Sequence, residues 1–200
     1  MDKIIIVGSS SNVLKKELGD KIDSFDKVIR FNRAPIEGYE KYVGKKTTDR
    51  FVNMHVIVNK PKNDEDLSFI STLRNQNIVS DTKITNDTFY EHYHTSCTYY
   101  YFSRHVEFKK FKQQITKIDK YKEFENFKGV EPSIGLGTIL HYLNAGKKVY
   151  IYGFHIDSTN YKESPHYWKI KKHIGGAHDF KYERELLKKL IEDEYIHYLK

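Results

Sequence analysis

The chain is predicted to be an α/β protein built on a mostly parallel sheet flanked by helices, and three observations carry that expectation. A continuous apolar run at Lys3–Val7 suits a strand buried on both faces, and Lys27–Phe31 and Val149–Tyr152 read as further strands of the same sheet. Helical segments alternate with these strands, as βαβ connections require. The length of 200 residues suits one hydrophobic core, so residues 1–200 are expected to form a single domain.

The elements follow in order. The first strand ends at Gly8, and a polar loop, Ser9-Ser10-Ser11-Asn12, offers hydroxyl and amide caps for a helix over Val13–Leu18. Lys27–Phe31 completes a βαβ unit. Ligands in open α/β sheets bind at the carboxyl ends of the strands, so Ser9–Asn12 and Asn32 are expected to face one crevice. Thr48–Asn53 reads as a third strand entered through a loop carrying Gly38 and Gly44. Residues 60–96 read as irregular connections around one strand near Ile78-Val79. Thr98–Phe102 is aromatic and strand-like, and Val106–Phe127 carries apolar residues at helical spacing. A helix is predicted over Ser133–Ala145 with Gly146 as its stop, then a strand at Val149–Tyr152 closed by Gly153. A final helix runs from Phe180 to about Tyr195, with Leu187, Leu190, Ile191 and Tyr195 on one apolar stripe.

Composition limits the function classes. A hydrophobic fraction of 38% is low, but 16 Tyr and 12 Phe supply the bulk of a folded core. A net charge of +7 admits an anionic partner. Lysines are dispersed among acids and no recognised nucleic-acid module occurs, so nucleic acid is not the expected partner. Cys97 has no internal disulfide partner, and Met1-Asp2-Lys3 runs straight into Ile4–Val7, too short for a signal segment or membrane span. A soluble, cytoplasmic protein without a transmembrane segment is therefore expected.

Common cofactor signatures are weak. Gly135-Leu136-Gly137 lacks a third glycine and follows no strand, and no Walker loop is present. His92, His94 and Cys97 have zinc-binding residue types without a second ligand pair. Asp64-Glu65-Asp66 lies in a charged loop and reads as solvated. No metal and no cofactor are expected. Two histidines stand out instead: His166 in Ser164-Pro165-His166-Tyr167-Trp168, and His178 in Gly175-Gly176-Ala177-His178-Asp179-Phe180. Imidazole, with an unperturbed pKa of about 6.5, moves protons near neutral pH, so the pair suggests proton-transfer chemistry.

Four blocks, taken in order, resemble the sialyltransferases of glycosyltransferase family 29. Val7–Asn12, Ile22–Asp26, Val28–Pro35 and Val43–Thr48 together are similar to the long sialyl motif. Pro132-Ser133-Ile134-Gly135, followed by an apolar helix and Val149–Phe154, resembles the short motif. His166-Tyr167-Trp168 resembles the third motif, and His178-Asp179-Phe180 with Glu183 the very short motif. Bacterial family 42 sialyltransferases are a looser match.

The resemblance implies a GT-A-like (Rossmann-like) fold and a metal-independent inverting transfer of sialic acid from CMP-sialic acid to a glycan hydroxyl. It implies that Gly8, Ser9, Ser10, Asn12 and Asn32 hold the cytidine monophosphate. Ser133, Ile134 and Gly135 would hold donor phosphate or carboxylate at a helix amino terminus, with Gly153 beside them. His178 would be the general base and His166 would face the leaving phosphate. One of Tyr99, Tyr100 and Tyr101, taken as Tyr101, would add a phenol to that phosphate. Ser133 also suits a simple helix cap, and Asn32 a strand-end turn. The sequence departs from the family at Ser9 (usually asparagine), Glu131 (commonly a phosphate-binding tyrosine) and Ile134 (threonine). The cysteines joining the long and short motifs are missing, with Ile4 at the first position, which fits a bacterial or viral relative better than a Golgi enzyme. A CMP-linked Kdo-type donor is the close alternative, and a non-catalytic CMP-binding protein the more distant one. Acceptor and oligomeric state are not specified by the residues.

Overall fold

The computed structural model describes residues 2–53, 76–80, 98–126, 131–156, 166–168 and 178–200, with the side chains of 98–101 outside that description. Seven strands form one sheet: β1 (Ile4–Val7), β2 (Lys27–Phe31), β3 (Asp49–Val52), β4 (Asn77–Ser80), β5 (Thr98–Tyr101), β6 (Val149–Tyr152) and β7 (Ile196–Tyr198). Every pairing is parallel, and the order is β5-β4-β3-β2-β1-β6-β7. Ile5 of β1 lies opposite both Val28 and Tyr150.

Strand alternation explains why the apolar run of β1 is continuous. Ile4 and Ile6 enter one core with Ile29, Phe31 and Phe51, while Ile5 and Val7 enter the other with Val28 and Tyr152. The first core is covered by α3 (Arg104–Ile115), α4 (Ile134–Asn144) and α5 (Phe180–Glu192). The second is covered by a 3₁₀ turn at Ser11–Lys15, by α1 (Gly19–Asp23) and by α2 (Glu40–Val43).

The second face also buries two arginines, each 1% exposed. Arg30 donates to the carbonyls of Val43 (2.6 Å) and Gly44 (3.1 Å) and to Thr47 Oγ1 (2.9 Å). Arg50 donates to Gln76 Oε1 (3.0 Å) and to the carbonyls of Asn32 (2.9 Å) and Ala34 (3.3 Å). Burial pulls both guanidinium groups down to about 10, which leaves them charged at neutral pH.

Three expected boundaries move. The helix predicted over Val13–Leu18 is replaced by the 3₁₀ turn and α1, because Ser10 caps the Asn12 N–H and the chain becomes extended at Lys16 (φ −142°). The helix predicted over Val106–Phe127 ends at Ile115, where Thr116 Oγ1 donates back to the Lys112 carbonyl at 2.6 Å. A second 3₁₀ turn at Asp119–Glu125 then buries Tyr121 and Phe124; Phe127 lies outside the described residues. The last helix stops at Glu192, and Glu194 (φ 60°) redirects the chain into β7. Tyr195, expected on the buried stripe, is consequently 41% exposed.

Candidate functional site

Reading outward from β1, the chain winds through β2 to β5 on one side and returns to place β6 and β7 on the other. The switch point therefore lies between β1 and β6, where a ligand crevice is expected. A crevice of about 480 Å³ opens there, at the carboxyl ends of the strands.

Its centre is a contact between two backbones. Gly8 N–H donates to the Tyr152 carbonyl (2.7 Å) and Ser10 N–H to the Gly153 carbonyl (2.8 Å). A Cβ on Gly8 would stand 2.3 Å from the Gly153 oxygen, and a Cβ on Gly153 2.6 Å from Val13 Cγ1. Gly153 also has φ 74°, a conformation that glycine adopts without strain. Both positions thus require glycine for the loops after β1 and β6 to meet. Ser10 Oγ accepts from Asn12 N–H (3.1 Å) and lies 3.2 Å from His155 Nδ1.

At the end of β2, Asn32 adopts φ 43°, which asparagine tolerates better than most residues. Its N–H donates to the Phe51 carbonyl, Arg50 grips its own carbonyl, and its Oδ1 accepts from Asn53 N–H at 2.9 Å. With Oδ1 committed, the side-chain NH₂ is the group Asn32 can offer a ligand. Phe31 and Phe154, packed edge to face at 6.3 Å, also line the crevice.

The amino terminus of α4 forms one wall. Ser133 Oγ accepts from Leu136 N–H (3.1 Å) as the cap, leaving the N–H groups of Ile134 and Gly135 as the open donors of the first turn. A helix amino terminus of this kind suits phosphate or carboxylate. Because backbone N–H groups supply it, the absence of a hydroxyl at Ile134 leaves the end intact. Glu183 of α5, 5% exposed, accepts from Ser133 N–H (2.7 Å) and Oγ (2.5 Å). Burial raises the Glu183 carboxyl above the ordinary range, opposed by the two Ser133 bonds and by the charge of His178.

The two histidines reach the crevice on separate supports. Tyr167 is buried at 4% exposure; its N–H donates to the Ser9 carbonyl (3.0 Å) and its hydroxyl to the Pro35 carbonyl (2.5 Å). Burial, against the pull of Arg30 and Arg50, pushes that phenol up to about 12, so it remains a neutral donor. On either side of this anchor, His166 stacks on Trp168 with ring centroids 4.7 Å apart, and His166 lines the crevice. His178 immediately precedes Asp179, which caps α5 through Tyr182 N–H. Its Nδ1 lies 2.9 Å from the Glu131 carbonyl oxygen. A carbonyl only accepts, so Nδ1 carries the proton and Nε2 holds the lone pair of the neutral ring.

Of the residues singled out in the sequence, Gly8, Ser9, Ser10, Asn32, Ser133, Ile134, Gly135, Gly153, His166 and His178 line this one crevice. Asn12 does not. The chain turns into the 3₁₀ segment at Ser11, and Asn12 contributes its N–H to Ser10 from behind the lining. The side chains of Tyr99, Tyr100 and Tyr101 lie outside the described residues, as do Asp64, Glu65, Asp66, His92, His94 and Cys97. Asn53, Arg104, His155 and Arg184 line the crevice without having been anticipated. The available signal was position: Asn53 directly follows β3, while Arg104 and His155 each follow a strand end by three residues. Glu131, where a tyrosine is common, pairs with Arg104 at 3.1 Å. Among the described residues, no group of three or more His, Cys, Asp or Glu is arranged to hold a metal, and no helix is long and apolar enough to cross a membrane.

An all-parallel sheet whose loops meet at paired glycines, beside an open helix end, defines a doubly wound α/β protein with an anion-suited crevice at its switch point. Residues 1–195 match the profile of Glycosyltransferase family 29 (sialyltransferase), and the chain belongs to that family. It is 32% identical over 205 residues to the CMP-N-acetylneuraminate-beta-galactosamide-alpha-2,3-sialyltransferase 1 of Gallus gallus, covering 98% of this chain and 57% of that protein. It is 27% identical over 210 residues to the beta-galactoside alpha-2,6-sialyltransferase 2 of Danio rerio, covering 94% of this chain and 40% of that protein. The chain thus spans roughly half the length of these relatives or less. In fold it is similar to a mammalian sialyltransferase crystal structure (TM-score 0.67, 22% identity, covering 100% of this chain and 69% of that one). It is also similar to the sialyltransferase CstII from Campylobacter jejuni, solved with cytidine-5'-monophosphate (TM-score 0.58, 18% identity, 100% and 80%). The GT-A-like architecture expected from the sequence is the one shared with these structures.

Proposed function

We propose that this chain is a metal-independent, inverting glycosyltransferase that moves sialic acid from CMP-sialic acid to a glycan hydroxyl, with His178 as the general base. The observation that carries this reading is the bond from His178 Nδ1 to the Glu131 carbonyl, which leaves Nε2 as the proton acceptor inside the switch-point crevice. Family membership and the sialyltransferase relatives support the substrate class.

In this mechanism the acceptor hydroxyl attacks the anomeric carbon while Nε2 of His178 takes its proton. The bond from that carbon to the phosphate oxygen breaks from the opposite side, and CMP departs with the electron pair. Charge growing on the phosphate is met by the Ile134 and Gly135 N–H groups and by His166, a preorganised electrostatic contribution. The amide of Asn32 and the loop from Gly8 to Ser10 hold the nucleotide. Glu183 fixes the Ser133 cap so that the helix end is rigid before the donor arrives.

A CMP-linked Kdo-type donor offers the same nucleotide and a carboxylate beside the reacting carbon, so the decisive experiment includes both. The protein is incubated with CMP-sialic acid or CMP-Kdo and a small glycan panel, in excess EDTA, and the products are analysed. A sialylated glycan is expected. A Kdo-linked glycan alone would replace the donor, free CMP without glycan product would reduce the activity to hydrolysis, and loss of activity only with EDTA would return Asp64 and Asp66 as metal ligands.

A further inference from the structure

The carbonyl of Glu131 is the atom that holds the His178 ring, so whatever fixes Glu131 governs the presentation of Nε2. Glu131 belongs to no helix or strand, and Pro132 has no N–H with which to anchor the segment. Arg104, at the start of α3, supplies the anchor. Its Nη2 donates to Glu131 Oε2 at 3.1 Å and its Nη1 to the Pro132 carbonyl at 3.2 Å, so one planar group grips the side chain of one residue and the backbone of the next. Arg104 is 8% exposed, while the Glu131 side chain keeps 29% exposure.

A second observation concerns the route of the arginine stem. It crosses α4 at Gly137, where an added Cβ would lie 2.7 Å from Arg104 Cγ, 3.1 Å from its Cβ and 3.4 Å from its Cδ. Gly137 therefore clears the path along which Arg104 reaches Glu131. His105 Nε2 also lies near this carboxylate, at 3.5 Å, and its side chain is 64% exposed. It has no comparable hold on the segment.

We propose that Arg104 is a positioning residue for His178: by clamping Glu131 and Pro132 it holds the Glu131 carbonyl in place, which keeps the proton on Nδ1 and presents Nε2 to the crevice. The catalytic consequence rests on His178 being the base, whereas the ring orientation does not. A lysine at this position keeps the charge but loses the fixed two-pronged geometry.

The test uses the full chain labelled with ¹⁵N-histidine, the His178 signal being identified by its loss in His178→Gln. At about pH 8, above the usual imidazole range, the wild type is expected to show the Nδ1–H tautomer. Arg104→Met is expected to shift His178 toward the Nε2–H or a mixed form, with kcat lowered about tenfold or more and donor KM within about twofold. Arg104→Lys should be intermediate, and Gly137→Ala, which displaces the stem, should move both readouts in the same direction. If Arg104→Met does not fold, the Lys and Ala variants decide the matter. An unchanged tautomer overturns the positioning role, whereas a shifted tautomer with an unchanged kcat upholds the ring orientation and overturns the assignment of His178 as the base. If the wild type transfers no sugar, the proposed function fails, and the tautomer measurement still decides whether Arg104 orients the ring.

Discussion

Replacing Ser133 by alanine removes one oxygen that performs two structural tasks. It accepts from Leu136 N–H as the α4 cap (3.1 Å) and donates to the buried Glu183 carboxylate (2.5 Å). Loss of a cap costs about 1 kcal/mol, and loss of a hydrogen bond to a charged group about 1.5–3 kcal/mol. The backbone N–H of residue 133 retains its own bond to Glu183, so the two losses together come to about 2.5–4 kcal/mol. For a chain of this length that corresponds to a fall in Tm of roughly 5–16 °C. The deficit should also depend on pH. Glu183 titrates above the ordinary carboxyl range in the folded protein, chiefly because it is buried, so its effect on stability is most favourable at low pH. That contribution is lost as pH rises from about 4.3, the unfolded value, through the higher folded value. Removing the Ser133 hydroxyl deletes one of the interactions that oppose the upward shift, which raises the folded value further. The stability gap between wild type and Ser133→Ala should therefore be small in acid and grow as pH increases. Thermal melts followed by circular dichroism between about pH 4.5 and 8.5 measure it. A gap below about 1 kcal/mol at the alkaline end of that range, or one that does not change with pH, would refute the assignment of Ser133 as a hydroxyl donor to the buried Glu183 carboxyl.

Two further outcomes are expected. CMP at about one hundred times its Kd should stabilise the chain by about 2.7 kcal/mol, with AMP and GMP at the same concentration giving no comparable rise in Tm; equal shifts for all three would remove the nucleotide assignment. Gly8→Ala requires the loops after β1 and β6 to separate by about 0.7 Å to reach even a 3.0 Å contact. It should cost about 1–3 kcal/mol in urea denaturation and weaken CMP binding in calorimetry, and an unaltered CMP affinity would dissociate the glycine contact from the ligand site.

The parts of this fold that sequence made legible are those with strong local causes. The apolar runs of β1 and β6 are continuous because both sheet faces are covered, and that pattern is visible without coordinates. Gly146, with φ 67°, ends the α4 segment where the sequence suggests. β7 escaped because it is three residues long and is created by pairing with β6, a long-range interaction with little local signature. The exchange of the expected Val13–Leu18 helix for two shorter elements has a similar origin: the Ser10 cap and the extended backbone at Lys16 redirect a segment whose polar start also suits a helix. In the crevice, His166, His178 and the Ser133 helix end were legible as motifs. Asn53 and His155 were not, since each is an ordinary polar residue until the sheet order carries its strand end to the switch point. Arg104 was hidden for another reason. Its partners are Glu131, Pro132 and Gly137, and only the packing of α3 on α4 brings them together.

The central claim, that His178 is the base of a CMP-sugar transferase, is tested most directly by measuring transfer and CMP binding together in His178→Ala. Transfer from CMP-sialic acid should fall by about 10²- to 10⁴-fold, with CMP affinity within about threefold of the wild type. Undiminished turnover in that variant would contradict the account.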